Sequence, residues 1–173
     1  GRDLLDGGNG ADSLNGGGGS DTVSYEHEQA DGVNIDLLGG SASAAGGDDV
    51  LVSIENARGS EQDDLIHGSD GANILWGLGS SDDIDGGNGT DTIYGGTGSD
   101  FVAGGAGSDL LDGGGDSDNL YGGEGNDDLR GKDCRRNLFH VAPSFAMRAD
   151  ALSQYLAWKQ WRKLFLNSDA SPA

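Results

Sequence analysis

The sequence predicts an all-β fold: a parallel β-roll, or β-solenoid, of nonapeptide repeats, followed by a short tail with a helical pattern. Three observations predict it: a nine-residue period, an aliphatic residue held at one place of that period, and a composition unsuited to a layered core. From residue 86 the chain reads GGNGTDTIY, GGTGSDFVA, GGAGSDLLD, GGGDSDNLY and GGEGNDDLR, ending at Arg130. The form is G-G-x-G-x-D-x-U-x, with U a large aliphatic residue. Three looser copies precede these in the same frame, GSEQDDLIH from Gly59, GSDGANILW from Gly68 and GLGSSDDID from Gly77, so the contiguous run spans residues 59–130. GGNGADSLN and GGGGSDTVS occupy 7–24, and Gly1 to Asp6 fits the tail of an earlier copy, so the chain reads as a fragment opening inside a repeat.

Each place in the repeat has a physical reason. Glycines at the first, second and fourth places permit positive φ and let carbonyl oxygens turn toward one point. In the closest copies these are Gly86, Gly87, Gly89, Gly95, Gly96, Gly98, Gly104, Gly105 and Gly107, followed by Gly113, Gly114, Gly122, Gly123 and Gly125. The sixth place is an oxygen donor in every copy: Asp12, Asp21, Asp64, Asn73, Asp82, Asp91, Asp100, Asp109, Asp118 and Asp127, with Asp3 in the leading fragment. One such aspartate is most simply a turn-former capping its own backbone. Ten in register with glycines form a metal-ligand pattern, and oxygen donors suit Ca²⁺ better than a transition metal. The eighth place is always aliphatic, from Leu14 and Val23 to Leu120 and Leu129. A three-residue strand then turns one side chain inward. Two nonapeptides complete one coil, so turn n lies over turn n+2 and a thin aliphatic core runs between two short parallel sheets.

Composition agrees. Of 173 residues, 34 are Gly, hydrophobic residues are 34%, aromatics 6% and mean hydropathy −0.48, too little apolar material for an ordinary core. Residues 1–131 hold 27 acids against Arg2, Arg58 and Arg130, a charge of −24, whereas 132–173 carry +4. The acidic part repels nucleic acid and anionic membranes and attracts cations or basic partners. Nucleic-acid binding is therefore excluded as a function class. Cys134 is the only cysteine, so no disulfide staples the chain and bound metal is the available substitute. No signal-peptide pattern and no transmembrane run of about 18 apolar residues occurs.

On these residues the chain resembles the RTX family, the calcium-dependent, right-handed parallel β-rolls of secreted bacterial toxins, proteases, lipases and epimerases. The resemblance covers residues 1–131. It implies that each Ca²⁺ lies between turns two repeats apart, held by the sixth-place aspartates of both turns and by glycine-region carbonyls. The implied pairs are Asp82 with Asp100, Asp91 with Asp109, Asp100 with Asp118 and Asp109 with Asp127, and an isolated site at Asp3 with Asp21. Asp64 with Asp82 and Asn73 with Asp91 depart from the pattern, because Gln62 and Ser80 replace fourth-place glycines and Asn73 carries no charge. Asp116, also at a fourth place, either weakens its site or adds a ligand. The resemblance further implies secretion to the cell exterior, with a type I secretion apparatus as partner and folding on contact with extracellular calcium.

Residues 25–58 break the frame but keep strand signals: Val33, Ile35 and Leu37 alternate with polar residues, and Val50, Val52 and Ile54 alternate with Leu51 and Ser53. They read as wider coils of the same solenoid, and SIENARGSEQDDLIHG resembles a segment common in RTX proteins. Residues 132–173 contain no glycine, both prolines and two of the three Trp, with a helix expected over 148–166. Three readings of this basic tail stand open: an uncleaved secretion signal, a cap on the last core layer, and sequence foreign to the module.

Catalytic motifs fail one by one. His27-Glu28 lacks the second histidine of H-E-x-x-H at Asp31, Gly131-Lys132 lacks the rest of a phosphate loop, and no G-x-S-x-G occurs. The expectation is a non-catalytic module. The competing function is a calcium-dependent adhesive module for a polysaccharide or cell surface. Trp76 and Tyr94 share the ninth place two repeats apart and should stack about 5 Å apart on an outer face.

Overall fold

The computed structural model describes residues 1–28, 31–44 and 46–131. The helix expected over 148–166, and the whole tail 132–173, lie outside the described residues. Those described are all β, without a helix among them. The first repeats give β1 (Leu4–Leu5), β2 (Ser13–Asn15) and β3 (Thr22–Ser24). The segment between the repeat blocks gives β4 (Asn34–Asp36), β5 (Ser41–Ala44), β6 (Gly47–Val52) and β7 (Asn56–Arg58). The contiguous repeats give β8 (Leu65–Ser69), β9 (Ile74–Gly79), β10 (Asp83–Gly87), β11 (Thr92–Thr97), β12 (Phe101–Gly107), β13 (Leu110–Gly114), β14 (Asn119–Gly125) and β15 (Asp128–Arg130).

Successive repeats fall on alternate sheets. One sheet runs β1-β3-β7-β9-β11-β13-β15, and the other β14-β12-β10-β8-β4-β5-β6-β2. In the repeat blocks every pairing is parallel with an offset of two nonapeptides, as in Ile93↔Leu111 and Ile84↔Val102. That offset follows from one strand and one turn per repeat: the chain returns to a given sheet only every second repeat. The architecture is thus the parallel β-solenoid that the period predicts.

The eighth-place side chains form the core. Val23, Ile66, Leu75, Ile84, Ile93, Val102 and Leu111 are fully buried, while Leu14 and Leu129, in the outermost layers, are only partly covered. Each fully buried aliphatic contributes on the order of 1.5–3 kcal/mol of hydrophobic stabilisation. Seventh- and ninth-place residues face outward, which sends Trp76, Tyr94, Phe101 and Tyr121 to the two outer faces.

Residues 25–58 differ in kind from a simple coil. β4, β5 and β6 form an antiparallel meander, with Ile35↔Ala42 and Ala42↔Asp49 in register, between β2 and β8, whereas the opposite sheet inserts β7 alone between β3 and β9. β5 has no counterpart in the sequence pattern, because Ser41–Ala44 carries no aliphatic alternation. The buried face of β6 is also the reverse of the apolar one: Asp49 and Leu51 point inward while Val50 and Val52 are exposed. Register decides this. Leu51 pairs with the inward Leu14, and period two then fixes its neighbours. Tyr25, Val33, Ile35, Leu37, Ala42, Ile54 and Ala57 supply the remaining buried apolar side chains of this section.

Candidate metal centre

The turn residues build two ladders along the edges of the roll. On one edge the Asp91 N–H donates to Asp109 Oδ1 at 2.9 Å, the Asp109 N–H to Asp127 Oδ1 at 3.1 Å, and the Asn73 N–H to Asp91 Oδ1 at 2.8 Å. On the other, the Asp64 N–H donates to Asp82 Oδ1 (2.9 Å), the Asp82 N–H to Asp100 Oδ1 (3.0 Å) and the Asp100 N–H to Asp118 Oδ1 (3.1 Å). Asp3 and Asp21 repeat the contact at 2.7 Å. The structure therefore brings together every pair that the family resemblance implied.

In Asp21, Asp82, Asp91, Asp100, Asp109 and Asp127 one carboxylate oxygen is used in this way, and the other is not. Among the described residues, Oδ2 of Asp12, Asp21, Asp82, Asp91, Asp100, Asp109 and Asp127 is buried with no hydrogen-bond partner. A buried carboxylate oxygen without a donor is costly and points to a missing partner. Its surroundings identify the kind of partner. A Cβ built on Gly86 would lie 2.6 Å from Asp91 Oδ2 and 2.6 Å from the Gly104 carbonyl oxygen. On Gly104 it would lie 2.6 Å from Asp109 Oδ2 and 2.6 Å from the Gly122 carbonyl, and on Gly95 it would meet Asp100 Oδ2 and the Gly113 carbonyl. Gly86, Gly95 and Gly104 thus each leave open a small space bordered by one orphaned carboxylate oxygen and by a carbonyl from the turn two repeats on.

This revises the reason for the first glycine. Positive φ occurs at second and fourth places, such as Gly87 (89°), Gly89 (126°), Gly105 (95°) and Gly107 (155°), but at none of the first-place glycines of these turns. The first place needs glycine for room, the other two for conformation. Ser80 (φ 72°) and Asp116 (φ 68°) keep the left-handed backbone at fourth places, so the turn survives both substitutions. Leu78 does the same at a second place (φ 86°), at a cost of about 1–3 kcal/mol for a residue of its bulk.

Asp64 and Asn73 are arranged differently. Both repeats carry serine at the second place, and its N–H caps the side chain of the sixth: Ser60 N–H to Asp64 Oδ2 at 2.6 Å, Ser69 N–H to Asn73 Oδ1 at 2.7 Å. Val33 N–H and the Ser60 hydroxyl donate to Asp64 Oδ1, each at 2.8 Å. The oxygens that are orphaned elsewhere are satisfied here from within the chain.

The segment between the repeat blocks adds two acids in register that the nonapeptide frame does not mark, Asp49 in β6 and Glu55 just before β7. Asp12 N–H donates to Asp49 Oδ1 at 2.8 Å, and Asp21 N–H to Glu55 Oε2 at 2.8 Å. Tyr25, its phenol held upward by burial, donates to Asp49 Oδ2 at 2.8 Å. A weaker signal was present in the sequence: Asp49-Val50-Leu51 keeps the D-x-U spacing, and Glu55-Asn56-Ala57 keeps acid, spacer and small apolar residue.

The electrostatics follow from stacking like charges in a dry edge. Burial pushes the Asp82 carboxyl up to about 8; the Asp64 N–H offsets this in part, and the Asp64 and Asp100 carboxylates add to it. Burial likewise raises Asp91 to about 6, and raises Asp64, Asp100 and Asp109. Without a cation the ladder favours protons. With one, the same field favours carboxylates. Among the described residues no three His, Cys, Asp or Glu side chains converge on a point. The donor set is carboxylate plus main-chain carbonyl, which fits a hard divalent cation of the calcium type and not zinc or copper.

A parallel β-solenoid whose turns aim buried, unpartnered carboxylate oxygens and carbonyls into glycine-sized spaces is a cation-binding β-roll. The RTX calcium-binding nonapeptide repeat family matches this chain in four copies, at residues 1–24, 58–93 and 94–129, more than half its length, and the chain belongs to that family. It is a module of calcium-binding repeats. No curated protein matches it. No helix among the described residues is long and apolar enough to cross a membrane.

Proposed function

We propose that the chain is a non-catalytic module that folds when calcium becomes available outside the cell, and that it serves secretion and stability of the protein it belongs to. The observation that carries this reading is the set of orphaned Oδ2 atoms on both edges of the roll. In the compact state Asp82 and Asp100 repel each other on one edge and Asp91 and Asp109 on the other, and Arg58 and Arg130 make their ion pairs with Glu26 and Asp128 instead. Calcium, when bound, supplies two positive charges and a demand for six to eight oxygen donors. The energy of holding it is then folding energy. Extracellular calcium modules bind at about 10⁻⁴ to 10⁻³ M, so a chain of this design stays open where calcium is scarce. An open chain suits passage through a type I secretion channel, and secretion is typical of proteins with these repeats.

Far-UV circular dichroism during titration from chelator into roughly 10 mM Ca²⁺, with Mg²⁺ as control, tests the proposal. A cooperative coil-to-β transition in Ca²⁺ alone is expected. β-structure indifferent to chelator would sink the switch.

A second reading has one specific observation behind it. Trp76 and Tyr94 stack with ring centroids 6.1 Å apart and planes 12° from parallel, with Arg58 6.0 Å from the Trp76 ring centre. Such a flat pair, Tyr94 exposed and Trp76 half-buried, suits a sugar ring. Calcium-dependent retention on polysaccharide, abolished in a Trp76→Ala variant that still folds, would favour this adhesive role. The Phe101–Tyr121 pair on the opposite face, 5.1 Å apart and tilted by 36°, makes a poorer platform.

A further inference from the structure

The segment between the repeat blocks lies outside the residues matched by the family, yet it carries one ladder onward through the turn before β7. Three hydrogen bonds set its register. Asp21 N–H donates to Glu55 Oε2 (2.8 Å), as Asp91 N–H does to Asp109 Oδ1. The Asp21 carbonyl accepts Asn56 N–H (3.0 Å), as the Asp91 carbonyl accepts Leu110 N–H. Gly16 N–H donates to the Val52 carbonyl (3.0 Å), as Gly59 N–H does to Trp76. Glu55 therefore stands at a sixth place and Ser53 at a first place, although the turn is cut short. Only Ile54 separates Ser53 from Glu55, where four residues separate Gly77 from Asp82.

The parts of a site are present at this level. A Cβ on Gly16 would lie 2.4 Å from the Ser53 carbonyl oxygen and 2.8 Å from Asp21 Oδ2. Asp21 is 0% exposed, and this oxygen has no hydrogen-bond partner. Ser53, at φ 52°, takes the left-handed conformation that aims its carbonyl at that space, and the extra methylene of glutamate restores the reach that the shorter turn removes. Two carboxylates and a carbonyl from successive turns are hard oxygen donors of the kind calcium takes.

We propose that Asp21, Glu55 and the Ser53 carbonyl form a calcium site that the nonapeptide pattern does not mark, joining the first repeat block to the second. The inference rests on the reading of the chain as a calcium module. It predicts an unbroken ladder on this edge from Asp3 as far as Glu55, interrupted where Ser69 caps Asn73.

Anomalous diffraction from crystals of the calcium-loaded full chain tests it directly. A calcium peak about 2.3–2.6 Å from Asp21 Oδ2, the Ser53 oxygen and the Glu55 carboxylate is expected. Calcium on the repeat ladders with none here overturns the inference, whereas calcium nowhere in the roll sinks the module reading itself. Glu55→Gln keeps an acceptor for the Asp21 N–H and removes only the charge, so equilibrium dialysis of the folded variant should count one ion fewer than wild type. An unchanged count and affinity would contradict the proposal.

Discussion

Asp91 donates its backbone N–H to Oδ1 of Asp109, two repeats on and 2.9 Å away, while Oδ2 of Asp109 remains buried without a partner. One carboxylate thus ties two turns together with one oxygen and leaves the other for a cation. Asp109 is also tied onward, its own N–H going to Asp127. Asp127 ends that ladder.

Position in the ladder therefore ranks the aspartates. Asp109→Asn should raise the calcium midpoint of folding more than Asp127→Asn, because Asp109 contributes at two levels and Asp127 at one. The loss at Asp109 should be about 1.5–3 kcal/mol, the range for a hydrogen-bonded charged group. Calcium titrations of the two variants, followed by circular dichroism, give the comparison. Equal midpoints would show that Asp109 does not serve two levels of the ladder.

Gly104→Ala tests the space itself without touching a ligand side chain. The new methyl would lie 2.6 Å from Asp109 Oδ2 and 2.6 Å from the Gly122 carbonyl, closer than real contacts permit. We expect fewer ions bound and a higher calcium requirement. Gly115→Ala is the control, since its nearest neighbour would be 3.7 Å away. It should bind normally.

The raised carboxyls set a pH dependence. Below the ordinary value of 3.8, folded and unfolded chains both hold the protons, and Asp82 and Asp91 do not separate the two states. Between 3.8 and the folded values, about 6 for Asp91 and about 8 for Asp82, the unfolded chain ionises first and the folded chain keeps its protons. Above about 8 both states are charged and the full penalty of burial applies. The metal-free roll therefore loses stability as pH rises through this window. Calcium needs the ionised carboxylates, so its stabilising effect grows over the same range. In chelator, residual β-structure should be greater at pH 5 than at pH 8. The reverse order, or no difference, would count against the buried-carboxylate account.

The core makes a prediction independent of metal. Ile84 is fully buried between neighbours on both sides of its sheet, in register with Ile66 and Val102. Ile84→Ala should cost about 2–5 kcal/mol at saturating calcium, read from denaturant unfolding. A similar truncation at the partly exposed Leu129 should cost much less.

The repeat determined the solenoid, the two-repeat offset and the aliphatic core, because one strand and one turn per nonapeptide return the chain to a given sheet only every second repeat; the pairing of sixth-place acids was what the family resemblance implied. Tertiary structure decided the rest. Asp49 and Glu55 enter the ladders from a segment with no repeat, since backbone pairing of Asp12 with β6 and of Asp21 with the start of β7, and not local pattern, sets their register. Leu51 faces inward although Val50 and Val52 flank it, because Leu14 is its partner. Asp64 and Asn73 look like their neighbours in sequence, yet Ser60 and Ser69 satisfy the oxygens left open elsewhere. Period specifies where a side chain sits along the roll; which of its atoms remains without a partner depends on the turns above and below it.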